Sequence, residues 1–192
     1  MVTTGTRRGS ASTRLVEAAL SLLCVDGAGG VSVQRVADAA GVSKGLVHYH
    51  FKDKDALLTA CADALVSDLI ARDELARRGR TAATLLEALW QSVLSSLVDG
   101  RRRALMALYA ESPAGVRGAL ARLARDRHAA ATAVLGTLEE VLGWTPRVPR
   151  STLASAYVAL ADGLALDAAV RPDAEQRHAF DAFWFAVLSD GS

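Results

Sequence analysis

Apolar residues recur at three- and four-residue spacing along most of the chain, and no stretch sustains the two-residue alternation of a half-buried strand. Leu15, Ala19, Leu22 and Leu23 predict a helix over 13–25, which Asp26-Gly27 and Gly29-Gly30 stop. Ser32, a good N-cap, precedes the stripe Val33, Val36, Ala37 and Ala40. Gly41 follows where a left-handed C-cap residue is wanted. Val42 can tuck inward, and Ser43 can cap a short third helix over about 44–49. Two helices joined by a three-residue turn containing Gly make a helix-turn-helix pattern.

The rest of the chain reads the same way. A fourth helix begins near Asp53 or Lys54, carries Leu58, Cys61, Leu65 and Leu69 on one side, and ends in a charged patch over 72–80. A fifth covers about 81–98 until Asp99-Gly100, and a short sixth carries Leu105, Met106 and Leu108. Ser112-Pro113 offers a cap and first turn for a long seventh helix reaching Leu142. The eighth covers about 151–169, and the ninth opens at Asp173 with Gln176 three residues on, a capping-box spacing. The expected fold is all-α with about nine helices: a helix-turn-helix domain over 1–55 with a basic N-terminal arm, then a helical body over 56–192.

Composition agrees with helix throughout. Of 192 residues 51% are hydrophobic and only 5% aromatic, and Ala and Leu lose little entropy on entering a helix. The net charge of +1 excludes nothing, since a DNA-binding face can be small and local. Cys24 and Cys61 lie in apolar helical patterns without CxxC spacing and read as buried free thiols. The polar first dozen residues, with Arg7 and Arg8, do not form a secretory leader, and no uncharged apolar stretch reaches the ~18 residues of a membrane span, so a cytoplasmic location is expected. No GxSxG, HExxH, Walker or Rossmann pattern points to an enzyme, and no cofactor is expected. Glu139-Glu140 and Arg101-Arg102-Arg103 read as solvated charge runs. His48 and His50, two apart, point to different helix faces and do not suggest a metal site.

The segment AGVSKGLVHYHFKDKDAL, Ala40 to Leu57, resembles the DNA-binding signature of the tetracycline-repressor (TetR) family. Some ten positions match in order: Gly, Val, Ser, Lys, Gly, two further residues, an aromatic pair, His, Phe, then Lys-x-Lys opening the next helix. The physics of such a helix is consistent, with Val47 and Phe51 one turn apart facing inward and Lys44 and His48 outward. The resemblance implies that Lys44, Gly45, Leu46, His48, Tyr49 and His50 line the DNA surface, and that Ser32, Gln34, Ser43, Lys52 and Lys54 hold phosphates or adjoining bases. Gly45, without a side chain, lets the helix N-terminus approach the duplex. His48 stands where the family usually has Tyr; an imidazole can still bond a phosphate, and its charge changes near neutral pH. Leu46 stands where a small residue is common and could touch a thymine methyl. Arg7, Arg8 and Arg14 would add weak electrostatic help.

The resemblance further implies a homodimer on a palindromic double-stranded DNA operator, most simply a repressor released by a small-molecule effector. The aromatic-rich end of the chain suggests a pairing surface on the last two helices: Leu153, Leu160, Leu164, Phe180, Phe183, Trp184 and Val187. Trp90, Met106, Tyr109, Trp144 and Tyr157 would line an apolar pocket; Glu111, His128 and Asp162 are candidate polar anchors for it, with solvated or capping roles an equal alternative. The competing reading is a helical protein–protein interaction module that touches no DNA.

Overall fold

The computed structural model describes residues 11–79, 81–111, 114–171 and 175–189. Among these it shows nine α-helices, one 3-10 turn and no strand: α1 (Ala11–Asp26), the 3-10 turn Ala28–Gly30, α2 (Val33–Ala40), α3 (Lys44–His50), α4 (Lys54–Ala76), α5 (Ala82–Val98), α6 (Arg101–Glu111), α7 (Arg117–Leu142), α8 (Arg150–Val170) and α9 (Gln176–Ser189).

Side-chain caps fix where the short N-terminal helices begin. Ser32, Ser43 and Asp53 lie in extended backbone and accept from the amides of Arg35, Leu46 and Ala56 at the starts of α2, α3 and α4. Thr81 and Thr84 form a reciprocal capping box at the start of α5. Gly41 ends α2 with φ 65° and ψ 39°, and Val42 N–H then donates to the Ala37 carbonyl at 2.9 Å. A left-handed residue here turns the chain sharply into α3.

Two hydrophobic cores form, and α4 runs through both. In the first, Leu15, Leu23, Val36 and Val47 pack with Leu58 and Leu65 of α4 and with Leu105, Leu108, Val116 and Leu120 from the body. The second joins α5, the C-terminal half of α7, α8 and α9 around Leu89, Trp90, Leu135, Tyr157, Phe180 and Trp184. With 23 residues, α4 is about 35 Å long, enough to reach from one core to the other. The expected division at residue 55 falls at the first turn of α4, but the first core crosses it, so the N-terminal helices share their interior with α6 and α7.

Two helix starts in the body differ from expectation. The long helix α7 starts at Arg117 rather than beside Ser112-Pro113; residues 114–116 form a turn that buries Val116 completely, and that anchor sets the start. Ser112, Pro113 and Asp173 lie outside the described residues, as do Arg7 and Arg8. The ninth helix begins at Gln176, whose side chain reaches back to donate to the Arg171 carbonyl at 3.1 Å rather than sitting one turn inside a capping box. Among the described residues α8 alone is long and apolar enough by length and composition to cross a membrane. Its apolarity has a local use, because Leu153, Ala154, Tyr157, Val158, Ala161 and Leu164 are buried against the bundle.

The turn after α2 gives a direct test of this geometry. A Cβ at Gly41 would meet no neighbouring atom, so Gly41→Ala isolates the backbone cost of φ 65°. The variant should lose about 1–2 kcal/mol of stability, read from the urea midpoint at unchanged m.

Candidate nucleic-acid interface

Helix α3 has seven residues, and burial decides which side it shows. Val47 is fully buried and Phe51, just past the C-terminus, is 8% exposed, so both point into the first core. Lys44, Gly45, His48 and Tyr49 are exposed, and Leu46 and His50 are half-buried. Tyr49 is 82% exposed, its ring edge-on to His50 at 5.1 Å between centroids. The six positions expected on the DNA surface therefore share the outer side of one short helix, which begins at the Ser43 cap.

The flanking positions divide into open and engaged groups. Ser32 and Ser43 spend their hydroxyl oxygens as caps at 3.2 and 3.3 Å, which leaves each O–H proton free to donate. Lys52 is exposed. Gln34 donates to Asp38 one turn along α2 at 2.5 Å, and Lys54 donates Nζ to the Ala28 carbonyl at 2.9 Å. Lys54 is thus a tether from α4 to the 3-10 turn as well as a cation beside the reading helix.

Sequence reasoning missed the other bonds that hold this platform. Arg35 donates to the Gly30 carbonyl at 2.7 Å and pairs with Asp26 at 2.5 Å, clamping α2 to the end of α1. Glu111, at the C-terminus of α6, accepts from Ala28 N–H at 3.2 Å. Ala28 is therefore held from both sides, by α4 through its carbonyl and by α6 through its amide. No spacing rule relates residues 83 positions apart, so this contact had no signal in the sequence.

In the body, the residues expected to line one pocket divide between the two cores, although the Tyr109 and Tyr157 hydroxyls both lie near Arg127 and Asp162. Met106 and Tyr109 pack against the first core, and Trp90, Trp144 and Tyr157 belong to the second. Trp144 borders a cavity of about 390 Å³ with Pro146, Val148, Leu153 and Val187, and Tyr109 borders another of about 260 Å³ with Leu120 and Ala124. The expected pairing residues also separate. Leu153, Leu164, Phe180 and Trp184 are buried in the subunit's own second core, while Leu160, Phe183 and Val187 are half-buried against it. Apolar side chains left open on the same helices are Leu166, Val170 and Phe185, at 51%, 81% and 76% exposure.

The body also holds a buried charge network. Arg102 of α6 and Arg127 of α7 are 2% and 4% exposed, and both bond Asp162 of α8: Arg102 Nη1 at 3.2 Å, Arg127 Nη1 at 2.8 Å and Arg127 Nη2 to the other oxygen. Arg102 Nε donates to Ser96 Oγ at 2.9 Å. Nearby Asp73 of α4 is buried and accepts from Ser92 at 2.9 Å. Burial raises the Asp73 carboxyl above its ordinary range despite the pull of Arg102. Burial, with Arg127 alongside, pushes the Arg102 guanidinium down. The Tyr157 hydroxyl lies among these charges, buried and without a hydrogen-bond partner among the described residues. Of the three anchors expected from sequence, Asp162 joins this network, Glu111 bonds Ala28, and His128 bonds the Ala124 carbonyl of its own helix at 2.7 Å.

Arg102 corrects the reading of the 101–103 run as solvated: Arg101 and Arg103 are open or half-open, but the middle residue points inward. A signal was available. Arg102 precedes Leu105 by three, Arg127 follows Leu123 by four and precedes Ala131 by four, and Asp73 follows Leu69 by four. Each is a charge on the buried stripe of its helix, and charges are rarely placed there without partners.

Two outcomes test these placements. A Cβ added at Gly45, inside α3, would have only Ser43 Oγ nearby, at 3.8 Å, so Gly45→Ala should raise stability by about 0.5–1 kcal/mol in urea unfolding. The same variant should weaken binding to DNA, because the added methyl stands on the outward side. For Asp73, a folded-state carboxyl raised above its unfolded value of 3.8 contributes stability at low pH that is lost as pH rises. Asp73→Asn removes that dependence, so its stability relative to the parent should grow as pH rises above about 4 in parallel urea titrations.

Comparison with known proteins supports the N-terminal reading. Residues 15–61 match the family described as "Bacterial regulatory proteins, tetR family". The chain is 30% identical over 95 residues to the HTH-type transcriptional regulator AcrR of Shigella flexneri, a stretch covering 48% of this chain and 44% of that relative. The chain thus spans less than half the length of that relative. Over its whole length it is similar to a solved transcriptional regulator from Rhodococcus sp. Rha1, at 28% identity, TM-score 0.76, and 94% and 97% coverage of the two chains. The E. coli NemR structure shares the fold at TM-score 0.78 and 18% identity, covering 96% and 99%. The capped helix-turn-helix and its outward-facing signature fall within the stretch that matches the tetR family of bacterial regulatory proteins, and the chain as a whole is similar in architecture to solved transcriptional regulators.

Proposed function

We propose that the protein is a homodimeric transcriptional regulator that reads duplex DNA with α3 of each subunit and answers to a small molecule bound in its body. The observation that carries this reading is the outer side of α3: Lys44, His48 and Tyr49 are exposed around a glycine, although a 7-residue helix has little apolar surface to spare. A cation at the capped N-terminus of α3 and imidazole N–H groups in its last turn suit phosphate oxygens and base edges in the major groove. Exposed Tyr49 has no use inside the subunit and a use against a duplex backbone.

Pairing is supported by what α8 and α9 leave uncovered. Ser155, Ala156, Ala159 and Gly163 make a shallow strip on α8 that continues into Leu166 and Val170, and Phe185 stands out from α9. Small residues let two helices approach closely, with the larger apolar side chains packing at the edge of the contact. Two copies related by a two-fold axis would cover this strip and set two α3 helices for successive grooves.

Regulation is supported by the contact between body and reader. Glu111 links α6 to Ala28, and α4 passes from the reader into the second core. A molecule favouring one arrangement of α4 and α6 would shift α3 by this route, up to the limit set by its differential affinity for the two states.

Gel shifts on the promoter region next to the protein's own gene test the proposal. The parent protein should bind a specific fragment with affinity that falls steeply as salt rises. Lys44→Ala and His48→Ala should each weaken specific binding about tenfold or more while the dimer stays folded by sedimentation and circular dichroism. Unchanged affinity in both, or no promoter fragment bound at low salt, would refute the reading and leave an interaction module that does not bind DNA.

A further inference from the structure

We infer that His48 and His50 make DNA binding by α3 proton-linked, so that the regulator holds a duplex more tightly as pH falls from about 8 to about 6. The inference rests on α3 reading DNA, and it names a regulation of that same surface.

The reader has little fixed charge to offer a polyanion. Over 11–55 the cations Arg14, Arg35, Lys44, Lys52 and Lys54 are matched by the carboxylates Glu17, Asp26, Asp38, Asp53 and Asp55. With neutral imidazoles this stretch carries no net charge; Arg7 and Arg8 precede it in sequence. No carboxylate falls between Asp38 and Asp53, and in that gap stand Lys44, His48, His50 and Lys52. Protonating both imidazoles therefore doubles the positive charge of the gap, on the segment that forms the outer side of α3.

Both rings are placed to use that charge. His48 is exposed and stands four residues after Lys44, one turn along the same side of the helix. His50 is half-buried, with the Tyr49 ring edge-on to it at 5.1 Å between centroids. Neither imidazole has a hydrogen bond or an ion pair among the described residues, so the ring nitrogens remain for an outside partner.

The surrounding charges are engaged elsewhere. On α2, which packs on α3, Asp38 accepts from Gln34, and Arg35 is paired with Asp26 at the end of α1. Arg14 and Glu17 are exposed on α1. On α4, Asp53 caps its own helix, Lys54 Nζ donates to the Ala28 carbonyl, and Asp55 lies against Gly115 of the turn before α7. Glu111 of α6 accepts from Ala28 N–H. None of these carboxylates bonds an imidazole, so the countercharge for a protonated ring comes from phosphate oxygens of the duplex. An opposite charge at close range favours the protonated ring, and binding therefore takes up protons. Affinity gained this way is present at low pH and is lost as pH rises through the range in which imidazoles ordinarily change charge.

Fluorescence anisotropy of the full-length protein on a fragment bound in the gel shifts tests the inference, at about pH 6, 7 and 8 and several salt concentrations. Affinity should fall about tenfold or more from about pH 6 to about pH 8. The slope of log affinity against log salt should be steeper at the lower pH, by about one for each imidazole charged. Replacing both rings by an uncharged amide, His48→Gln with His50→Gln, should leave affinity and salt slope flat across the range. Replacing both by a fixed cation, His48→Lys with His50→Lys, should give at about pH 8 the salt slope that the parent shows at about pH 6. The lysine variant decides if the glutamine variant binds too weakly to titrate, and circular dichroism at each pH checks that the fold is kept. Binding by the parent that does not change with pH would overturn the inference. So would a pH dependence that persists in the glutamine or the lysine variant, since the protons would then enter elsewhere. Binding that is flat with pH leaves the DNA reading standing, whereas no binding at any of these pH values refutes that reading together with the inference.

Discussion

A helix of seven residues does not hold itself together in water; two turns lack the length to offset the cost of nucleation. What fixes α3 is the burial of Val47 and Phe51 against α1, α2 and α4, together with a serine cap at its start. Because those two side chains lie one turn apart, they fix the rotation of the helix as well as its position, and Lys44, His48 and Tyr49 face outward as a result. Loss of that apolar anchor would release the whole reading surface.

The anchor belongs to a core that the reader does not own. Leu105 and Leu108 of α6 and Leu120 of α7 complete the cluster around Val36 and Val47. A helix-turn-helix sharing its interior with the body cannot move freely of it, and Ala28 adds two polar ties in the same direction. The body is in turn held by unlike interactions: a mainly apolar second core with Trp90, Tyr157, Phe180 and Trp184 in ring contact, and a charge network through Arg102, Arg127 and Asp162. Buried ion pairs seldom add much net stability, since desolvation offsets most of the attraction.

Much of this was legible in the sequence wherever the determinant is local. Ser32, Gly41, Ser43 and Asp53 act through bonds to residues three or four positions away, so the start and stop of α2 and α3 follow from reading a short window. The signature beginning at Gly41 resembles the family closely for the same reason. Long-range features were not readable this way. Phe180 and Phe185 look alike in sequence, yet one is fully buried and the other 76% exposed, because only their rotation on α9 relative to α8 separates core from open face. Arg102 looked like part of a solvated run, and its burial depends on a carboxylate partner 60 positions away, Asp162. Position on an apolar stripe would have flagged it, but only the fold shows what completes its charge.

The central claim is that paired subunits present two α3 helices to one face of a duplex. Methylation interference at guanine N7 on a bound operator fragment tests it most directly, because that atom lies in the major groove. The account predicts two interfering clusters centred about 10 base pairs apart, on the same side of the helix. A single cluster, or strong binding insensitive to modification in the major groove, would contradict it.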